Sequence, residues 1–209
     1  MRLFSVLRQC SVGRGLALAA GVCLLLFATA LQAKPERYRL DPAHLSIAFL
    51  THHIGFADTL GQFLKAEGSF IYDEGTQSLS DLEVAIDAAS VFTNHEARDK
   101  HLRSKDFLNV AQHPIITFRM TEAIAKDTAN GEVRGDLTIL GVTQPVSLDV
   151  TLNKAGDYPF PIGGAIPYVL GISAHTTIER SAFGMTYAVE NGWVGDEVEI
   201  ILELEAVRQ

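Results

Sequence analysis

Glu197-Val198-Glu199-Ile200-Ile201-Leu202-Glu203-Leu204-Glu205-Ala206 alternates with period two. Val198, Ile200, Leu202, Leu204 and Ala206 fall on one face, and Glu197, Glu199, Glu203 and Glu205 on the other. Only an extended strand with one face buried and one in water gives each residue type a consistent environment. The same period recurs upstream. Ile47 and Phe49 begin it. Leu64, Ala66, Gly68, Phe70 and Tyr72 oppose Lys65, Glu67 and Ser69, and Asp73-Glu74-Gly75 supplies a turn. Leu82, Val84 and Ile86 follow, then Ile116, Phe118 and Met120 after Pro114. Asn130-Gly131 is a hairpin signal. Val133, Gly135, Leu137 and Ile139 lead through a turn at Gly141 to Val146, Leu148, Val150 and Leu152. A Gly- and Pro-rich loop spans Asp157 to Pro167, and Tyr168, Leu170, Ile172, Ala174, Thr176 and Ile178 form a further strand.

These are about eight strands, mostly joined by short turns. Antiparallel strands buried on one face must close or pair to protect their edges. An eight-stranded up-and-down barrel and a two-sheet sandwich both satisfy that requirement. An outer-membrane barrel needs aromatic girdles, and aromatic residues are only 8% of the chain. The small residues Ala66, Gly68, Gly135 and Ala174 on inward faces suggest space inside.

One stretch departs from the strand period. Thr93 to Asn109 reads as a short polar helix facing water, with Thr93 as N-cap and Glu96 as its capping-box carboxylate.

The chain begins like an exported protein. Arg2, Arg8 and Arg14 precede an apolar run from Leu16 to Leu31, and small-x-small patterns follow at Ala28-Thr29-Ala30 and Leu31-Gln32-Ala33. The run is short for a membrane span, which takes about 20 apolar residues; the alternative is an uncleaved anchor. Removing residues 1–33 from 209 leaves 176, one domain with room for a real core. Cys10 and Cys23 leave with the signal, so residues 34–209 are expected to have no disulfide, thiolate metal site or cysteine nucleophile. Their 14 basic and 25 acidic side chains give a charge of −11, which argues against nucleic acid and anionic membrane surfaces as partners.

Catalytic and metal motifs are lacking. The seven histidines are scattered, and no HExxH, GxSxG or phosphate-cradling glycine loop occurs. His95 and Asp99 stand one helical turn apart, a pair that usually marks a solvated helix face, because a metal site needs three or four converging ligands. No catalytic residue and no metal ligand is therefore assigned. His52 and His53 point to opposite faces of a strand and cannot chelate together.

The helix segment Thr93-Asn94-His95-Glu96-Ala97-Arg98-Asp99-Lys100-His101-Leu102-Arg103-Ser104-Lys105-Asp106-Phe107-Leu108 resembles the TNH-x-x-RD-x-HLRS-x-DFL signature of the YceI family of exported bacterial proteins. Gly135-Asp136-Leu137-Thr138 with Gly141-Val142-Thr143-Gln144-Pro145-Val146 is similar to the family's GDLT…GVT-x-PV hairpin. Arg180-Ser181-Ala182-Phe183-Gly184 is similar to its RS-x-FG motif, with Ala182 where Asp is common. The resemblance covers essentially all of residues 34–209. It implies an all-β, lipocalin-like, eight-stranded antiparallel barrel with one short inserted helix. It further implies a non-catalytic periplasmic carrier whose interior holds a polyisoprenoid lipid, an isoprenoid quinone or a polyprenyl phosphate. No cofactor beyond that bound lipid, no nucleic-acid partner and no stable membrane insertion after cleavage are expected, and an oligomer stays open.

On this reading the barrel lining is Phe49, Phe70, Ile86, Phe118, Leu137, Leu148, Val150, Ile172 and Ile200. His95, Arg98, Asp99, His101, Arg103 and Arg180 are expected to fix the barrel or its mouth. Two alternatives stand beside it: an envelope enzyme acting on lipids or esters through His95, Asp99 and His101, and a stress-related envelope protein with an empty barrel.

Overall fold

The computed structural model describes residues 34–209; the expected signal segment and both cysteines lie outside the described residues. Among the described residues are ten strands: β1 (Glu36–His53), β2 (Ala57–Phe63), β3 (Ala66–Asp73), β4 (Ser78–Asp87), β5 (Val91–Phe92), β6 (Ile115–Ala125), β7 (Asn130–Ile139), β8 (Val142–Asp157), β9 (Tyr168–Glu179) and β10 (Val194–Arg208). An α-helix, α1 (Glu96–Leu102), lies between β5 and β6. Every paired neighbour is antiparallel, and β10 returns to β1 from Tyr38↔Arg208 to His53↔Val194, which closes the sheet.

The ten strands make eight staves. Both β2 and β3 pair with β1, at Ile47↔Phe63 and Arg39↔Ser69, so they are one stave interrupted at Leu64-Lys65. β4 and β5 likewise form one stave, broken by the single turn Ala88–Ser90, since β3 pairs β4 and β2 pairs β5. Closure removes every long free edge.

β1 changes face midway. Tyr38 and Leu40 point inward, then Asp41–His44 interrupts the β10 register, and Ile47 and Phe49 point inward from the opposite parity. A bulge that shifts register flips every later side chain. That is why the legible alternation starts only at Ile47.

Several local expectations are corrected. The hairpin near Asn130-Gly131 exists, but its turn is Lys126-Asp127-Thr128-Ala129; Asp127 Oδ1 accepts the Ala129 and Asn130 amides, and Asn130 already belongs to β7. The helix is seven residues long, and its N-cap is His95 rather than Thr93. His95 Nδ1 accepts the Arg98 amide at 3.2 Å, while Thr93 is buried. The helix surface mostly faces water as expected, but Asp99 is buried. The inward glycine Gly135 does not mark open space, because the Phe118 ring lies over it where a Cβ would stand.

Two turns between adjacent strands pair a left-handed non-glycine residue with a left-handed glycine. Leu140 and Gly141 (φ 54° and 75°) link β7 to β8, and Ile54 and Gly55 (φ 52° and 75°) link β1 to β2. The left-handed conformation costs a β-branched residue about 1–2 kcal/mol. Ile54 is half exposed, so core packing does not repay that strain.

The two barrel ends differ. One is packed around Tyr38, Leu40, Phe70, Leu170 and Ala206. The other is roofed by α1, residues 103–114 and the connection from Arg180 to Trp193.

Candidate functional site

Inside the barrel lies a cavity of about 490 Å³. All nine residues expected on the lining border it: Phe49, Phe70, Ile86, Phe118, Leu137, Leu148, Val150, Ile172 and Ile200. Strand parity places them there, since an inward stripe on a closed sheet has nowhere else to point. A second recess of about 110 Å³ sits behind the cavity floor, beside the β6–β7 turn. Phe70, Leu79, Val133, Val150 and Ile172 border both spaces.

The wall is almost wholly apolar. Its polar groups are Thr51, His53, Thr59, Arg98, His101, Thr176 and Arg180, with the heteroatoms of Tyr187 and Trp193. Among the described lining residues none is Asp, Glu, Ser or Cys, so every charged side chain on the wall of this acidic protein is cationic.

The signature residues build the roof through backbone carbonyls. Arg180 is 3% exposed and donates from Nε to Gly195 O (2.7 Å), from Nη1 to Met185 O (2.8 Å), and from Nη2 to Tyr187 O (2.9 Å) and Val194 O (2.8 Å). Burial pushes its guanidinium below the ordinary arginine range, and the charge of nearby Asp196 opposes that shift. Asp196 itself accepts the Ser181 amide and hydroxyl. Arg103 donates to Ala89 O and Val91 O, which pins the interrupted β4–β5 stave. Arg98 donates from Nε to Thr93 Oγ1 (2.7 Å) and from Nη2 to Thr93 O (2.6 Å). Asp99 completes the chain by accepting the Thr93 amide (2.8 Å) and hydroxyl (2.5 Å). His101 Nε2 meets Asp106 Oδ2 at 3.1 Å, and its ring sits edge-on to Phe107 and Tyr187.

Three of the six signature residues, Arg98, His101 and Arg180, also lie on the cavity wall, so they belong to the site as well as to the scaffold. His95, Asp99 and Arg103 do not reach it. His95 and Asp99 each serve local capping bonds rather than a shared ligand. On the outer surface Asp41, His44 and Glu205 bring ligand-type atoms within 4.8 Å of one another, at the β1 bulge and away from the cavity.

The sequence reading missed the cavity mouth. Ile54, Tyr187, Ala188 and Trp193 line it from turns and connections, where no periodicity marks an inward face. It also missed β2, whose inward positions Ala57, Thr59, Gly61 and Phe63 include only one large apolar residue, while the outward Leu60 is apolar, so period two does not show in it.

A closed eight-stranded barrel around an apolar cavity, open at one end, defines a binding barrel. The YceI-like domain profile matches residues 38–206, and the chain belongs to that family. A UPF0312 protein of Pseudomonas aeruginosa is 39% identical over 195 residues, covering 92% of this chain and 96% of the relative. The Campylobacter jejuni YCEI protein superposes with a TM-score of 0.68 at 26% identity, over 76% of this chain and 90% of that one. A polyisoprenoid binding domain from Saccharophagus degradans shares the fold with a TM-score of 0.57 at 14% identity, over 84% of this chain and all of that one.

Proposed function

We propose that the protein is a non-catalytic periplasmic carrier that holds a polyisoprenoid lipid, an isoprenoid quinone or a polyprenyl phosphate, with its chain in the barrel. The observation that carries this is the cavity of about 490 Å³, with its nearly unbroken apolar wall and a single cationic end. Each isoprene unit taken from water gains about 3–4 kcal/mol, at about 0.8 per carbon. A few units then approach the practical affinity ceiling once ordering costs are deducted. Chain burial thus supplies affinity, and the head group supplies direction. The positive charges of Arg98 and Arg180 favour an oxygen-rich or anionic head group at the roofed end, and Arg98, whose Nε and Nη2 bond Thr93, keeps Nη1 for it. The polyisoprenoid-binding description of the Saccharophagus degradans domain supports the same ligand class.

The enzyme alternative has less support. His95 Nδ1 is occupied by a helix amide, Asp99 by Thr93, and His101 Nε2 by Asp106. No nucleophile–base pair faces the lumen among the described residues.

Export with removal of residues 1–33 completes the proposal. The test is mass spectrometry of an organic extract of the purified protein. A prenyl lipid near one equivalent is expected. Protein that comes out lipid-free and refuses added polyprenyl phosphate and quinone alike would overturn the reading.

A further inference from the structure

We infer that the open end docks on a lipid bilayer, with Phe56 at the tip of the β1–β2 turn as the leading side chain and Ile54 and Trp193 beside it. This rests on the lipid-carrier reading and adds where the lipid is exchanged.

Phe56 is 90% exposed, the most exposed of the large apolar residues described. Its neighbours Ile54, Leu60 and Trp193 are each about half exposed or more. The Ile54 amide donates to Trp193 O at 3.0 Å, so the turn and the Arg180–Trp193 connection form one continuous rim. Ile54, Tyr187 and Trp193 also line the cavity. The exposed patch and the lumen are therefore parts of one apolar surface, and a chain leaving the cavity would pass across the rim.

The turn adds a second argument. Its left-handed position suits glycine or asparagine, yet Ile54 occupies it at φ 52°. A strained, exposed, apolar residue at a turn tip points to something outside the barrel that it meets. The rim chemistry, Trp, Tyr, Phe and Ile, is that of side chains that settle at a membrane–water interface.

Charge separates a bilayer surface in general from an anionic one. Asp58 next to the turn pairs with His52 at 2.9 Å, and Glu190 is exposed on the connection. The cations of this end, Arg98 and Arg180, are held by Thr93 and by loop carbonyls, and the charged side chains named beside the turn are acidic, so docking should be apolar and indifferent to anionic lipid. A second copy of the chain is the competing occupant, and the test includes it.

Trp193 is the only tryptophan in the chain, which makes the rim its own reporter. The experiment uses purified protein whose intact mass places its start between residues 31 and 34, mixed with phosphatidylcholine vesicles at low and high salt. A blue shift of Trp193 emission, with quenching by brominated acyl chains, is expected under both conditions. Phe56→Ser should weaken vesicle partitioning at least tenfold, whereas Phe160→Ser at the opposite end should leave it unchanged. Unshifted emission with vesicles, equal losses in both variants, or a concentration-dependent blue shift without vesicles (a second copy) would each overturn the inference. Organic extracts of the same samples keep the two proposals apart. Lipid present without docking sinks only the docking, and docking by lipid-free protein that refuses added prenyl lipid sinks only the carrier.

Discussion

The packed end of the barrel and its open end use aromatic residues in opposite ways. At the packed end Tyr38 stacks on Phe70 with ring centroids 5.5 Å apart, and both are buried. The Tyr38 and Tyr168 hydroxyls donate to the two oxygens of Glu74, at 3.1 and 2.8 Å, and the Arg208 guanidinium lies 4.2 Å from the Tyr168 ring centroid. Both of these hydroxyls share one carboxylate. At the open end Phe56 and Trp193 are largely exposed, and Arg180 spends its donors on loop carbonyls. The difference separates the end where packing stabilises the barrel from the end where the proposed lipid would exchange. A barrel that must admit a ligand keeps its tight packing away from the entrance, since the mobile, binding parts of a fold come from its less stable regions.

The largest effect is expected at the roof. Arg180→Met strands four carbonyls that now share one buried cation, and should cost about 3–5 kcal/mol in urea unfolding. A loss below about 1 kcal/mol would mean that the connection reorganises freely and that the roof is not fixed by this side chain.

A matched pair sharpens the comparison directly. Leu170 is 1% exposed in the packed end and borders only the small recess of about 110 Å³, so Leu170→Ala should cost about 2–5 kcal/mol, including the cavity it creates. Leu148 borders space that is already open, so Leu148→Ala should cost about 1–2 kcal/mol, without the full cavity contribution. Equal costs would break the distinction between the two regions.

A smaller effect follows from the tyrosines. Burial, reinforced by the Glu74 charge, pushes the Tyr38 hydroxyl well above its usual range. The unfolded chain therefore loses this proton near pH ~10, before the folded protein does. Stability should be unaffected by this group below that pH and should fall as pH rises past it. Tyr38→Phe should flatten the decline. A wild-type urea midpoint that holds steady from pH 9 to 11 would contradict the assignment.

The smallest effect belongs to the outer face. Asp149 meets Lys126 at 2.7 Å with both side chains about half exposed, and Asp149→Ala should shift the melting temperature by no more than a degree or two, because exposed pairs contribute little. A larger drop would give the outer sheet surface a role it lacks here.

The strands and the inward stripe were legible because period two reads directly as inside and outside. The residues from Phe49 to Ile200 expected on the lining all border the cavity for that reason. What was not legible depends on tertiary context. Alternation alone left barrel and sandwich equal, and the pairing of β1 with β10 decides between them. The Asp41–His44 bulge has no pattern of its own, and β2 hides because only Phe63 is large and apolar on its inward face: Gly61 lies beneath the Phe49 ring. Arg180 stood out only through resemblance, since nothing local says that an arginine after a strand will bond four carbonyls. The mouth residues Ile54, Tyr187 and Trp193 lie in turns and connections, where sequence period carries no direction.

The central claim is that the interior is ligand space and not a dry core. Leu148→Glu tests it most directly, read by circular dichroism and by lipid content of the same preparation. The account predicts a folded barrel that has lost at least tenfold of its lipid, since a bound chain would desolvate the carboxylate while water reaches it in the empty cavity. Outright unfolding would place position 148 in a dry core, and a folded variant with normal lipid content would put the ligand somewhere other than the barrel interior.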